Sequence, residues 1–134
     1  MKRLLFVVIA IVALNYGCKE EKQPISSNTI ELISPQEMQE ISQMEDVQLI
    51  DVRTPKEYKE GYIEGFQNID FFSDTFSQEI EKLDKSKPVI VYCRSGRRSS
   101  DCAKQLKEEG FVKIYDLEGG ITKWEFEGYE IRVN

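Results

Sequence analysis

Apolar residues recur along the chain in two periods. Short runs rich in Val, Ile and Tyr occur at Thr29–Leu32, Val47–Val52, Pro88–Cys93 and Val112–Leu117, with a briefer one at Gln67–Ile69. Runs of this length bounded by polar and turn residues predict strands. Between them lie segments with helix-start chemistry. Ser34-Pro35-Gln36-Glu37 and Thr54-Pro55-Lys56-Glu57 each place a hydroxyl at the N-cap, proline at the first helical position and glutamate two residues later. Such a capping box satisfies backbone N–H groups that a helix start leaves without partners. Phe72, Phe76, Ile80 and Leu83 repeat at three- and four-residue steps and predict a helix with one apolar stripe. Another helix is predicted from about Gly96 to Glu109, with Ala103 and Leu106 inward and Gly110 as its left-handed stop. Gly119-Gly120 reads as a tight turn and Trp124 as packing. Strands alternating with helices predict an α/β domain with a mostly parallel sheet covered on both faces.

The start of the chain follows a different pattern. Met1-Lys2-Arg3 precedes an unbroken apolar run from Leu4 to Leu14. A spanning helix needs about twenty apolar residues, so this run is too short to cross a membrane and stay there. A charged start, a short apolar middle and a small residue near the end predict a secretory signal over residues 1–17. Its close, Leu14-Asn15-Tyr16-Gly17-Cys18, resembles a bacterial lipoprotein signal, with Asn15 where that pattern has an aliphatic residue. The resemblance implies lipidation of Cys18 and a membrane anchor in the bacterial envelope, in the periplasm or at the cell surface. Lys19-Glu20-Glu21 is similar to a surface-sorting signal. Residues 18–28 are polar, with Pro24 and two serines, and read as a tether. The folded domain is then expected over residues 29–134.

Composition removes several function classes. The chain has no histidine, which excludes a Ser-His-Asp hydrolase, a Cys-His protease and a His-ligated zinc site. Three cysteines without a C-x-x-C pair fit neither a zinc ribbon nor a disulfide scaffold. A net charge of −6 argues against general nucleic-acid binding, which needs a broad positive surface.

Against that acidic background, positive charge gathers at one point. Three of the chain's arginines, Arg94, Arg97 and Arg98, lie within five residues of Cys93. Cys93 ends an apolar run fit for a central strand, and a helix is predicted just beyond it. Ligands in α/β proteins sit at such strand ends, against a helix N-terminus. Lone cysteines are mostly inert core residues. Here neighbouring guanidiniums and unpaired helix-start N–H groups would stabilise a thiolate, so a nucleophile is the better reading. Gly96 lets the loop curl its N–H groups inward as an anion nest. A phosphate-holding Cys-x5-Arg loop would need arginine at position 99, where Ser99 stands. The arginine falls one residue early, at Arg98, and the shorter loop suits a single sulfur atom on Cys93.

Four stretches together resemble the rhodanese family: Asp51-Val-Arg53-Thr-Pro-Lys-Glu57-Tyr58, Gly61 to Ile69, Cys93 to Ser99, and Leu117-Glu-Gly119-Gly120-Ile-Thr-Lys-Trp124. The resemblance implies a rhodanese-like α/β fold, a five-stranded parallel sheet flanked by helices. It also implies a persulfide on Cys93. The six-residue loop Cys93–Arg98 is similar to that of single-domain thiosulfate sulfurtransferases. Tyr62 and Phe66 depart from the histidine and alanine usual in the family.

The chemistry implied is two-step sulfur transfer. Cys93 takes sulfane sulfur from a small anionic donor such as thiosulfate, and a thiol or cyanide acceptor removes it. That chemistry calls for no metal or organic cofactor. Arg94, Ser95, Gly96, Arg97 and Arg98 are the expected donor-binding loop. Arg94 and Arg97 would hold the anion at the rim, and Arg98 would turn inward to fix the loop. Ser99 is expected to cap the following helix. Asp51 and Arg53 either orient the loop or form a structural ion pair. Cys102 either resolves the persulfide or belongs to the core, and the core reading is preferred. Two alternatives stand beside the enzyme. One is a sulfur-relay or binding module acting on a protein acceptor; the other is a Cys-dependent phosphatase or arsenate reductase, disfavoured by loop length.

Overall fold

The computed structural model describes residues 28–134. The signal 1–17, Cys18 and nearly all of the tether lie outside the described residues. Elements alternate as the apolar pattern predicts. In chain order they are β1 (Thr29–Ile33), α1 (Pro35–Ile41), β2 (Gln48–Asp51), α2 (Pro55–Glu60), β3 (Gln67–Asn68), α3 (Phe76–Ile80), β4 (Val89–Tyr92), α4 (Arg97–Glu108), β5 (Lys113–Leu117) and α5 (Gly120–Phe126). The five strands form one sheet in the order β1-β5-β4-β2-β3. Every neighbouring pair is parallel. Among the described residues no helix is long and apolar enough to cross a membrane.

The sheet divides the core into two layers because strand side chains alternate. On one face Ile50, Val52, Val89, Val91, Cys93 and Ile114 pack against Phe76 and Ile80 of α3 and Cys102, Ala103 and Leu106 of α4. On the other, Ile33, Ile90, Tyr92 and Leu117 pack against Met38 of α1 and Ile121 and Trp124 of α5. All four residues of β4 are buried, as a central strand covered on both faces requires.

Both capping boxes form. Glu37 N donates to Ser34 Oγ at 3.1 Å while Ser34 N donates to Glu37 Oε2 at 2.8 Å. Thr54 and Glu57 repeat the exchange at 3.0 and 3.3 Å. Two expectations change. The stripe from Phe72 to Leu83 is helical only over Phe76–Ile80. Phe72 N donates to Asp70 Oδ1 and Thr75 N to Ser73 Oγ. These side chains offer the backbone turns in place of a helix, and Phe72 is left exposed. Gly119-Gly120 is not merely a turn, because it opens α5 with both residues at positive φ.

Candidate active site

Strand β4 delivers Cys93 to the carboxyl end of the sheet, between two helix N-termini. Gly96, at φ 105°, turns the chain into α4. That turn aims the Gly96 N–H at Cys93 Sγ, 3.1 Å away. The Cys93 thiol donates to Ser99 Oγ at 3.5 Å, and Ser99 Oγ donates to the Gly96 carbonyl at 3.2 Å. The N–H groups of Arg97, Arg98 and Ser99 begin α4 and have no intrahelical acceptor. Of these loop N–H groups, the one that reaches the Cys93 sulfur is that of Gly96.

Helix α5 holds the loop from the other side. Ile121 N–H donates to the Cys93 carbonyl at 2.9 Å and Thr122 N–H to the Arg94 carbonyl at 3.1 Å. This docking needs glycine at position 120. A Cβ there would lie 2.4 Å from Cys93 O and 2.5 Å from Arg94 O. The loop therefore rests directly on the backbone of α5, and the Gly-Gly pair permits that approach.

Arg98 does turn inward, and its target is Glu57. Its two terminal nitrogens each donate to one Glu57 oxygen at 2.7 Å. The Arg98 guanidinium also lies over the Phe72 ring, 5.7 Å from its centroid. Hydrogen bonding from Arg98, with the Thr54 cap, holds the Glu57 carboxyl down at about 2. Glu57 thus does two jobs, capping α2 and tying the Cys93 loop to it. The sequence shows only the capping role of Glu57, since its loop partner is 41 residues away.

Asp51 and Arg53 form a buried ion pair at 2.7 Å. The Tyr92 hydroxyl donates to Asp51 Oδ2 at 2.6 Å, and Arg53 donates to the Gly61 carbonyl at 2.6 Å. Tyr92 precedes Cys93, so this network braces the end of β4 on the face opposite the thiol. Burial and the Asp51 carboxylate both push the Tyr92 phenol up, so it stays a donor. Arg94, Ser95 and Arg97 are exposed at the rim. Ser99 does not cap α4 as expected. Gly96 is the N-cap, and Ser99 is a buried third helical residue in contact with the thiol. Cys102 is a buried core residue whose thiol is pushed up by burial. Asp116, on β5 beneath α4, is a buried acid that the sequence pattern did not single out.

A model of the rhodanese-like domain matches residues 34–127. The chain belongs to this family. Thiosulfate sulfurtransferase GlpE of Coxiella burnetii is 36% identical over 92 residues, covering 69% of this chain and 84% of that protein. The uncharacterized protein YqhL of Bacillus subtilis is 40% identical over 77 residues, 58% of this chain and 60% of that one. A tRNA uridine(34) hydroxylase from the Aster yellows witches'-broom phytoplasma is 34% identical over 78% of this chain, which spans 35% of the hydroxylase. The solved polysulfide-sulfur transferase homodimer of Wolinella succinogenes superposes with a TM-score of 0.67 at 32% identity, covering 78% of this chain and 80% of that one.

Within this rhodanese-like domain the two departures are absorbed by aromatic packing. Tyr62 stacks on Tyr58 with ring centroids 4.4 Å apart, and Phe66 meets Tyr92 edge-on at 4.9 Å. A cavity of about 300 Å³ beside the rhodanese loop is lined by Arg53, Glu57, Arg94 and Thr122 among others. Cys93 itself is only 1% exposed.

Proposed function

We propose that this rhodanese-like protein is a thiosulfate sulfurtransferase working through a persulfide on Cys93. The Cys93 thiolate attacks the outer sulfur of thiosulfate, the S–S bond of the donor breaks, and sulfite leaves with the bonding pair. The new terminal sulfur is anionic and sits in the nest of α4 N–H groups. A thiol or cyanide then attacks that sulfur and restores the Cys93 thiolate. Arg94 and Arg97 attract the donor anion at the rim, while Arg98 acts through Glu57 to hold the loop. The observation that carries this reading is the 3.1 Å bond from Gly96 N–H to Cys93 Sγ in a loop one residue too short for phosphate. Its support from relatives is the likeness to GlpE over most of that protein's length.

A second reading is favoured by the likeness to the polysulfide-sulfur transferase. In it the domain relays sulfur from a polysulfide to a protein thiol and turns over free thiosulfate slowly. Thiosulfate:cyanide kinetics separate the two. The enzyme reading expects parallel double-reciprocal lines, abolished in Cys93→Ala and kept in Cys102→Ala. The relay reading expects negligible cyanide turnover with fast transfer from polysulfide. Hydrolysis of phosphate esters without sulfur loading would overturn both.

The location belongs to the same proposal. Export by residues 1–17 and lipidation of Cys18 would anchor the domain on its tether outside the cytoplasm. The test is the mass of the mature N-terminal peptide from the membrane fraction. A diacylated Cys18 is expected; an intact Met1 peptide in the soluble fraction would contradict it.

A further inference from the structure

A second cavity, of about 480 Å³, adjoins the Cys93 loop and is lined by Phe71, Phe72, Ser95, Arg97, Arg98 and Asp101. Its two aromatics come from the segment between β3 and α3, and backbone bonds fix where that segment lies. Val52 N–H donates to the Tyr92 carbonyl at 3.0 Å, and Phe71 N–H donates to the Val52 carbonyl at 3.1 Å. These bonds carry Phe71 to the same end of the sheet as Cys93. Phe71 is rooted in the core, edge-on to Phe76 at 5.2 Å. Phe72 stands beyond it, with ring centroids 5.8 Å apart and 67% of its surface exposed. A lone exposed aromatic is ordinary. Phe72 differs in being fixed by the 2.9 Å bond from its N–H to Asp70 Oδ1 and in walling a cavity beside the nucleophile's loop.

Charge in this cavity is unevenly spent. Glu57 holds Arg98, and Asp101 lies 3.9 Å from Lys104. Arg97 is exposed and forms no ion pair among the described residues. The cavity beside Arg94, by contrast, carries Glu57, Glu60 and Glu125 in its lining. An anionic reactant is therefore drawn to the side of Phe72 and Arg97. Cavities of about 300–1,000 Å³ hold whole organic ligands, so this one offers far more room than thiosulfate needs.

We propose that Phe71, Phe72, Ser95 and Arg97 form an acceptor subsite for an organic thiol carrying an aromatic body and one carboxylate or sulfonate. The inference rests on Cys93 carrying the transferred sulfur. The aromatic body lies against the open Phe72 ring, and its acid group meets the Arg97 guanidinium. The acceptor enters as thiolate and attacks the terminal sulfur of the Cys93 persulfide. A new S–S bond forms in the product persulfide, the S–S bond on Cys93 breaks, and Cys93 leaves as thiolate with the bonding pair. No oxidant or reductant is consumed. Phe72 and Arg97 thus set acceptor specificity, one by shape and the other by charge.

The test loads the full chain with sulfur from saturating thiosulfate and measures transfer to three thiols of like thiol chemistry. They are 4-(mercaptomethyl)benzoate, phenylmethanethiol, which lacks the acid, and mercaptoacetate, which lacks the ring. Phe72→Ala is expected to raise the half-saturating concentration of both aromatic thiols about fivefold relative to mercaptoacetate, and Phe72→Tyr to restore it. Arg97→Gln is expected to raise it for both acids relative to phenylmethanethiol, with the difference shrinking at high salt. Phe72→Ala slowing all three thiols equally would overturn the proposal, because the ring would then only support Arg98, which lies 5.7 Å from its centroid. The wild type is also titrated with 4-(hydroxymethyl)benzoate, which cannot accept sulfur, and followed by NMR. Shifts at the Phe72 ring and the Arg97 side chain are expected; shifts confined to Glu60 and Thr122, or none, would overturn the subsite even if the variants fail to fold. A chain that never loads sulfur would refute the transferase reading, while this titration would still decide whether the subsite exists.

Discussion

Glu57→Gln tests how strongly α2 is tied to the Cys93 loop. Glutamine keeps an acceptor oxygen for the Thr54 capping box, so the substitution removes charge and spares the cap. Pairing with Arg98 and the Thr54 contacts lower the Glu57 carboxyl from 4.5 to about 2. At about 1.36 kcal/mol per unit that difference corresponds to roughly 3 kcal/mol. The paired side chains are 24% and 19% exposed, so solvent screening reduces it to about 2 kcal/mol. Because the folded value is depressed, this stabilisation is present above pH 4.5 and is lost as pH falls towards 2. Urea unfolding of Glu57→Gln, Arg98→Gln and the double variant at pH 7 is expected to give a coupling energy of about 2 kcal/mol. The stability gap between wild type and Glu57→Gln should close as pH approaches 2. Sulfur transfer should fall about tenfold, because a loosened loop misplaces the nest. A coupling below about 0.5 kcal/mol, or a gap unchanged by acid, would refute the claim that this pair holds the loop.

Three further outcomes are expected. Gly120→Ala forces a Cβ to within 2.6 Å of Cys93 and Arg94 backbone atoms, so it should cost at least about 2 kcal/mol by chemical denaturation and slow persulfide formation more than tenfold. The Asp116 carboxyl is raised from 3.8 to about 6, so its burden is absent below pH 3.8 and grows as pH rises through 6. Urea melts of Asp116→Asn should therefore gain about 2–3 kcal/mol relative to wild type between pH 4 and pH 8. Arg94→Gln/Arg97→Gln should raise the KM for thiosulfate several-fold at low salt with kcat nearly kept, and the difference should shrink at high ionic strength.

What the sequence disclosed was what local chemistry decides. The capping boxes at Ser34 and Thr54 involve residues three apart, and both form as read. The β4 run is apolar at every position because both of its faces are covered, which marks it as central without any tertiary information. Cys93 stands out because its arginines are neighbours in the chain. Features that depend on distant partners were not visible. Glu57 meets Arg98 across 41 residues. The Gly119-Gly120 pair reads as a turn until the Cys93 carbonyl is found resting on it. Phe72 has the right spacing for a helix, but Asp70 and Ser73 capture the backbone first. Asp116 sits in the strand Lys113–Leu117, where a polar residue ordinarily faces water; only the position of α4 buries it.

The central claim is that this loop holds a single sulfur atom on Cys93. Incubating the protein with thiosulfate, removing the donor and measuring intact mass tests it directly. A gain of one sulfur atom is expected, mapped to the Cys93 peptide, discharged by cyanide and absent in Cys93→Ala. An unchanged mass, or the added sulfur on Cys102 instead, would contradict it.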